Sequence, residues 1–207
     1  MTQRRLPATV VLATGNAGKL REMREILAPW HVEVRPVSDF DRSQADETGL
    51  TFVENALLKA RHAATVSGLP AVADDSGLEV DALHGAPGIH SARYAGPGAS
   101  DRANNERLLR ELAAVPAPAR TARYRCAMVF LRWPVDPAPL VAQAAWEGSI
   151  ADTPRGSGGF GYDPLFLVDG GARTAAELPA DDKNRRSHRG QALRRLIEAM
   201  TTTTGTP

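Results

Sequence analysis

Asp74 and Asp75 stand side by side, after the apolar run Ala71-Val72-Ala73 and before Ser76-Gly77. Adjacent carboxylates repel each other unless a proton or a cation intervenes. Hard oxygen ligands of this kind suit magnesium, which takes one or two carboxylates together with substrate phosphates. Asp46 and Glu47, just upstream of a helix start, can supply a further carboxylate. An Asp-Asp-Ser-Gly run is equally the composition of a turn, so the pair alone leaves both readings open.

Three other segments carry chemistry. Thr14-Gly15-Asn16-Ala17-Gly18-Lys19 lies between an apolar run and an amphipathic stretch. Backbone N–H groups at a helix start bind anions, Lys19 adds a mobile cation, and the Asn16 amide can donate. It is not a Walker loop, because Leu20 follows Gly18-Lys19 where Ser or Thr is required; a turn with a solvated lysine fits as well. In the second segment, Gly156 to Asp163, glycines frame Phe160 and Tyr162. Such a loop lets backbone approach a ligand and offers an aromatic face to a base. A flexible linker is the other reading, though linkers rarely carry two large aromatics. The third is Lys183 with Ser187-His188-Arg189. Ser187 can cap a helix, and His188 and Arg189 can donate to a carbonyl oxygen such as purine O6. A solvated basic helix start would carry the same residue types.

Regular elements must position these groups. Thr9 to Ala13 reads as a buried strand, and Leu20, Met23, Ile26 and Leu27 form the apolar stripe of a helix that Pro29 ends. Val32 to Val37 reads as a second strand, so the opening stretch predicts an α/β fold. Thr51 and Glu54 form a capping box for a helix to about Val66, closed by Gly68 and Pro70. Ala71 to Ala73 is then a short strand with Asp74-Asp75-Ser76-Gly77 at its carboxyl end, where ligands bind in α/β sheets. Ser100 or Asp101 can cap a helix with Leu108, Leu109 and Leu112 as its buried stripe. Ala122 to Trp133 and Leu140 to Trp146 read as an antiparallel hairpin around a proline-rich loop. Leu165 to Val168 is a short strand. The last helix spans Arg189 to Met200, with Leu193, Leu196, Ile197 and Met200 on one face, and 201–207 reads as a frayed tail. No internal repeat is present.

The 207 residues, 43% hydrophobic and 24% charged, suit one domain with a real core. A net charge of +1 argues against a surface that coats nucleic acid but leaves room for a small basic pocket. The lone Cys126 sits in an apolar run, which favours a packed core residue in a reducing, cytoplasmic setting. No apolar stretch approaches the roughly 20 residues that span a bilayer, and no signal-peptide cleavage pattern follows Met1.

Taken in order, the segments form a series: Thr-Gly-Asn-x-x-Lys; Glu-Thr-Gly-x-Thr-Phe-x-Glu-Asn-Ala-x-x-Lys-Ala; Ala-Asp-Asp-Ser-Gly-Leu; Pro87 to Tyr94; Gly158 to Pro164; and Ser187-His188-Arg189-Gly190. This series, from about Val10 to Leu196, resembles the inosine/xanthosine triphosphate pyrophosphatase family, the house-cleaning nucleotide hydrolases. The resemblance implies a single nucleotide pyrophosphatase domain over 1–207. Its fold would be an elongated, two-lobed, mixed-sheet α/β fold with a central substrate cleft. It also implies a magnesium requirement, a homodimer, and hydrolysis of ITP, dITP and XTP to monophosphate and pyrophosphate, which keeps deaminated purines out of DNA and RNA. By matching position, Thr14 to Lys19 (Thr14, Gly15, Asn16, Ala17, Gly18, Lys19) and Lys59 hold the triphosphate. Asp46 and Asp75 bind the metal, with Glu47 and Asp74 as further candidates. Asp75 is the general base and Ser76 contacts substrate. Phe160, Gly161, Tyr162 and Asp163 enclose base and sugar, and Lys183, His188 and Arg189 read the purine. The family has a glutamate where this chain has Asp46, which leaves Glu47 as a second candidate for that ligand. The rival readings are a non-catalytic nucleotide-binding module and a pyrophosphatase for modified pyrimidine nucleotides.

Overall fold

A computed structural model describes residues 6–43 and 45–202. Seven strands form one mixed sheet in the order β2-β1-β3-β4-β5-β6-β7. They are β1 (Thr9–Leu12), β2 (Glu33–Pro36), β3 (Ala71–Val80), β4 (Thr121–Leu131), β5 (Leu140–Ile150), β6 (Phe166–Val168) and β7 (Arg173–Thr174). β1 pairs in parallel with β2 and β3, whereas β5–β6 and β6–β7 are antiparallel. The helices are α1 (Ala17–Leu27), α2 (Phe52–Ser67), α3 (Asp101–Glu111), α4 (Ala180–Arg186) and α5 (His188–Thr202). Among the described residues, no helix is long and apolar enough to cross a membrane. The chain divides into two compact units. The first comprises Met1–Asp75, Cys126–Ala144 and Arg189–Pro207; the second comprises Ser76–Arg125 and Ala145–His188.

In the first unit the alternation of strand side chains feeds two apolar layers. Val10, Leu12, Val72, Met128 and Phe130 pack with Met23 and Leu27 of α1 and with Leu193, Leu196 and Ile197 of α5. Val11, Ala13, Ala71, Ala73, Val129 and Leu131 face the other way, onto Ala56, Ala60, Ala63 and Ala64 of α2. The small residues on that face of α2 let its backbone lie close to the strands. α2 starts where the capping box predicts, but with a shifted bond. The Thr51 side chain accepts from Glu54 N–H, while the Glu54 carboxylate accepts from Leu50 N–H. Gly68, at φ 66°, closes the helix in the left-handed conformation.

The second unit packs Leu78 and Val80, Leu108 and Leu112, Tyr124, Trp146, Tyr162 and Phe166 into one cluster. Ser100 caps α3 by accepting from Ala103 N–H. Leu108 and Leu112 are fully buried and Leu109 half-buried.

The structure departs from the sequence expectations at several elements, and β5 runs four residues past the expected Trp146, to Ile150. β3 does not stop at Ala73 but runs on through Asp74-Asp75-Ser76-Gly77 to Val80. The extension is sustained by the buried Leu78 and Val80 and by Gly77, where a Cβ would collide with the Gly88 carbonyl and the Ser91 hydroxyl. The two-residue β7 and the short α4 have too little apolar periodicity to be read from sequence. α5 runs two residues past Met200, through Thr201 and Thr202; the rest of the expected tail, 203–207, lies outside the described residues.

Candidate active site

In the first unit, α1 begins at Ala17 because Asn16 caps it: Asn16 Oδ1 accepts from Lys19 N–H at 3.1 Å, and Thr14 Oγ1 accepts from Asn16 N–H at 3.1 Å. The first-turn N–H groups of Ala17 and Gly18 have no partner within the helix and lie at its positive end. Gly15 has open space around it. The Lys19 side chain turns to Asp74, with Nζ 2.9 Å from Oδ2.

Asp74 is completely enclosed. Burial pushes its carboxyl up, but Lys19, Arg189 and Lys59 together outweigh burial and hold it well below the usual carboxylate range. Asp75 behaves oppositely: burial raises its pKa, and Lys59 and Lys19 offset that only in part. Lys59, on α2, lies 2.8 Å from Asp75 Oδ1 and 3.1 Å from Glu47 Oε1. Burial pulls the Lys59 pKa down, yet Asp74, Asp75 and Glu47 raise it overall, so the ammonium stays charged. Asn55, one helical turn before Lys59, donates to Asp75 Oδ2 at 3.4 Å and accepts from Gly49 N–H at 2.9 Å. It therefore ties the segment that carries Glu47 to the Asp75 carboxylate.

The two upstream carboxylates differ. Glu47 is half-buried on Lys59, whereas Asp46 is exposed and its backbone carbonyl accepts from Thr48 N–H. Arg189 is also committed: its guanidinium lies 2.8 Å from Glu22 Oε2 and 3.4 Å from Asp74 Oδ2, with both partners buried. Glu22 was not singled out from sequence. Its only sign there is its place one turn from Lys19 on the same helix.

The second unit contains Ser76, Phe160, Gly161, Tyr162, Asp163, Lys183 and His188. Asp163 is its hub. Its Oδ2 accepts from Lys183 Nζ at 2.7 Å and from Phe160 N–H at 2.8 Å, and its Oδ1 accepts from Tyr124 Oη at 3.2 Å. Gly159, at φ 72°, makes this turn feasible, since a Cβ there would strike the Asp163 carboxylate. Lys183 Nζ also lies 4.8 Å from the centre of the Phe160 ring. Both backbone groups of Gly161 are engaged by α3: Asp101 Oδ2 accepts its N–H at 2.6 Å, and Asn105 Nδ2 donates to its carbonyl at 2.9 Å. Tyr162 is buried and donates to Ser91 O at 2.8 Å. Ser76 is half-buried on β3. His188 stacks on Tyr124. Cys126 is buried and its thiol pKa is pushed up by that burial, which makes it a core residue rather than a nucleophile.

Lys19 in the first turn of α1 and Lys59 on α2 therefore lie beside the paired carboxylates of β3, on a mixed α/β sheet. A sequence model of the Ham1 family matches residues 10–199, and the chain belongs to that family. A dITP/XTP pyrophosphatase of Thioalkalivibrio sulfidiphilus is 59% identical over 191 residues, covering 92% of this chain and 97% of the relative. One from Methylococcus capsulatus is 57% identical over 196 residues, covering 95% and 98%. Among solved structures, a HAM1 protein from Coxiella burnetii superposes with a TM-score of 0.85 at 48% identity, covering 94% of this chain and 99% of that one.

Proposed function

We infer that this chain hydrolyses non-standard purine nucleoside triphosphates, ITP, dITP and XTP, to the monophosphate and pyrophosphate, and so keeps deaminated purines out of nucleic acids. Beyond family membership, one observation carries the reading. Lys19 and Lys59 each grip one of two adjacent carboxylates, and the two carboxylates are tuned in opposite directions.

The α1 start, Thr14 to Lys19, is assigned to the triphosphate, with Lys59 as a second cation. Asp75 is assigned as general base. Its raised pKa makes it a better proton acceptor than an ordinary aspartate, and Lys59 and Asn55 fix its two oxygens. It takes a proton from water, whose oxygen attacks the α-phosphorus. The bond to the bridging oxygen breaks, and that oxygen leaves with pyrophosphate. Asp74, ionised and enclosed, holds Lys19 and Arg189 in place rather than moving a proton.

Magnesium is the cofactor we propose. Glu47 and Asp75 present hard oxygens that converge on one cationic group, which fits an ion that takes one or two carboxylates and completes its shell with phosphates. Bound there, it neutralises triphosphate and leaving-group charge. Glu47 is the ligand we favour over Asp46, with Asp75 as its partner.

In the second unit, Phe160 and Tyr162 are assigned to the base and sugar, and Lys183 and His188 to reading the purine, with Asp163 holding the loop. Ser76 is retained as a substrate contact. Arg189, bound to Glu22 and Asp74, is assigned to holding Asp74 rather than to the base. We propose a homodimer, which the resemblance supports, and a cytoplasmic setting, which the lone core cysteine supports; sedimentation analysis tests the assembly.

Pyrophosphate release from ITP, dITP, XTP, GTP, ATP and dUTP, with and without magnesium, tests the function. Fast release from the first three only, and only with magnesium, is the expected result. Preferred release from dUTP moves the activity to altered pyrimidines, and nucleotide binding without release moves the chain to a binding module.

A further inference from the structure

Tyr124 lies in β4, within the second unit, and none of the motifs includes it. It is buried, and it touches both halves of the group assigned to the base. Its ring stacks on the His188 imidazole with centroids 4.6 Å apart and planes 8° from parallel. Its hydroxyl donates to Asp163 Oδ1 at 3.2 Å, and Asp163 in turn holds Lys183 and Phe160 N–H. Behind Tyr124, Phe166 leans on the ring at 4.6 Å and 54°, and Trp146 on Phe166 at 5.4 Å and 59°. These tilted contacts stop the tyrosine ring from turning.

We propose that Tyr124 is a positioning residue for purine selection, whose ring fixes the plane of His188; the proposal rests on the base-reading role inferred above for His188. The terminal torsion of a histidine is broad, so rotamer preference alone leaves the imidazole plane loose. Hydrogen bonds are directional. A donor held in one plane meets an oxo group and leaves an amino group unpaired, whereas a donor free to swing finds another partner and discriminates less. The hydroxyl bond to Asp163 keeps the tyrosine in register with the loop, but the ring sets the discrimination. A purely structural core residue would instead lower turnover of every nucleotide alike.

The test compares kcat and KM for ITP and ATP, with magnesium, in wild type, Tyr124→Met, Tyr124→Phe, His188→Ala and the Met/Ala double variant. In Tyr124→Met, the KM for ITP rises, kcat stays within about twofold, and the ITP-to-ATP ratio of kcat/KM falls about tenfold. Tyr124→Phe keeps the ratio. In the His188→Ala background, Tyr124→Met changes the ratio no further. Equal losses for both nucleotides, or a full effect of Tyr124→Met without His188, overturn the proposal. If Tyr124→Met does not fold, Tyr124→Phe decides: a preserved ratio supports the ring, and a tenfold fall assigns selection to the hydroxyl and overturns it. A wild type that releases no pyrophosphate from ITP fails the functional reading itself, an outcome distinct from an active enzyme with an unchanged ratio.

Discussion

The first unit's functional side chains alternate in charge. Lys19 meets Asp74, Lys59 meets Asp75 and Glu47, and Arg189 meets Glu22 and Asp74. The second unit sets the buried Lys183–Asp163 pair among the rings of Phe160, Tyr124 and His188. A lattice of alternating charge can take in a polyanion and a cation by exchanging partners, because Lys59, Asp74 and Arg189 each have more than one neighbour of opposite sign. A buried pair walled by rings loses its place only by leaving a charge buried. It is suited to reading shape and hydrogen-bond pattern. This contrast supports the proposed division, in which bond breaking falls to the first set and the choice of base to the second.

The largest test of that division is Asp75→Asn. It removes the proton acceptor while keeping shape, so kcat falls about 10³-fold and ITP binding, read by calorimetry, persists. Turnover within about tenfold of wild type would assign the base elsewhere. The same cluster sets an acid dependence of stability, measured with a chelator present. The Asp74 pKa is lowered on folding, so its contribution is complete above its ordinary value of 3.8 and is lost as pH falls below it toward the folded pKa. The raised Asp75 pKa works with the opposite sign, its burial being best tolerated when protonated. Asp74→Asn should flatten the acid loss of stability; an unchanged slope would mean that other carboxylates carry it.

Next in size is the second unit's pair. Lys183→Met leaves Asp163 buried beside fewer donors and costs about 3 kcal/mol of stability. Lys183→Met with Asp163→Asn recovers part of it, as denaturant titration would show. If the single change costs nothing, the pair is not the fixed element that the comparison requires.

How much of this was legible in the sequence depended on whether a local rule had a local cause. Thr51, Gly68 and Asn16 act within one helical turn, so α2 and the start of α1 could be read directly. The course of β3 could not. Asp-Asp-Ser-Gly has turn composition, and only distant residues, Lys19, Lys59, Arg189 and the 88–91 segment, make it a buried strand. Arg189 shows the same limit. Its partners Glu22 and Asp74 lie 167 and 115 positions back, so nothing beside it in the sequence points to them. Asn105 and Tyr124 carry no distinguishing sequence mark, and Asn55, within a motif, and Asp101, a possible helix cap, show none of their contacts there, because the partners are backbone groups or residues far along the chain.

The upstream carboxylates sharpen the comparison within the first unit. Glu47→Gln should raise the magnesium concentration for half-maximal activity about tenfold. Asp46→Asn, altering an exposed side chain away from Lys59, should change it less than about twofold. Chelation should abolish turnover without unfolding the chain. The reverse ranking of the two variants would restore Asp46 as the ligand.

The smallest expected effect lies at the Gly161 peptide. Asp101 accepts its N–H at 2.6 Å and Asn105 donates to its carbonyl at 2.9 Å, one turn apart on α3. Asp101 is exposed, so water replaces it when it is removed, and the net worth of such a bond is about 1 kcal/mol. Asn105 is buried and cannot be replaced as cheaply. Asp101→Ala should therefore raise the KM for ITP about threefold with kcat unchanged, and Asn105→Ala should raise it more. If Asp101→Ala instead lowered kcat and left KM alone, α3 would be acting on the bond-breaking step. The separation of chemistry in one unit from base choice in the other would then fail.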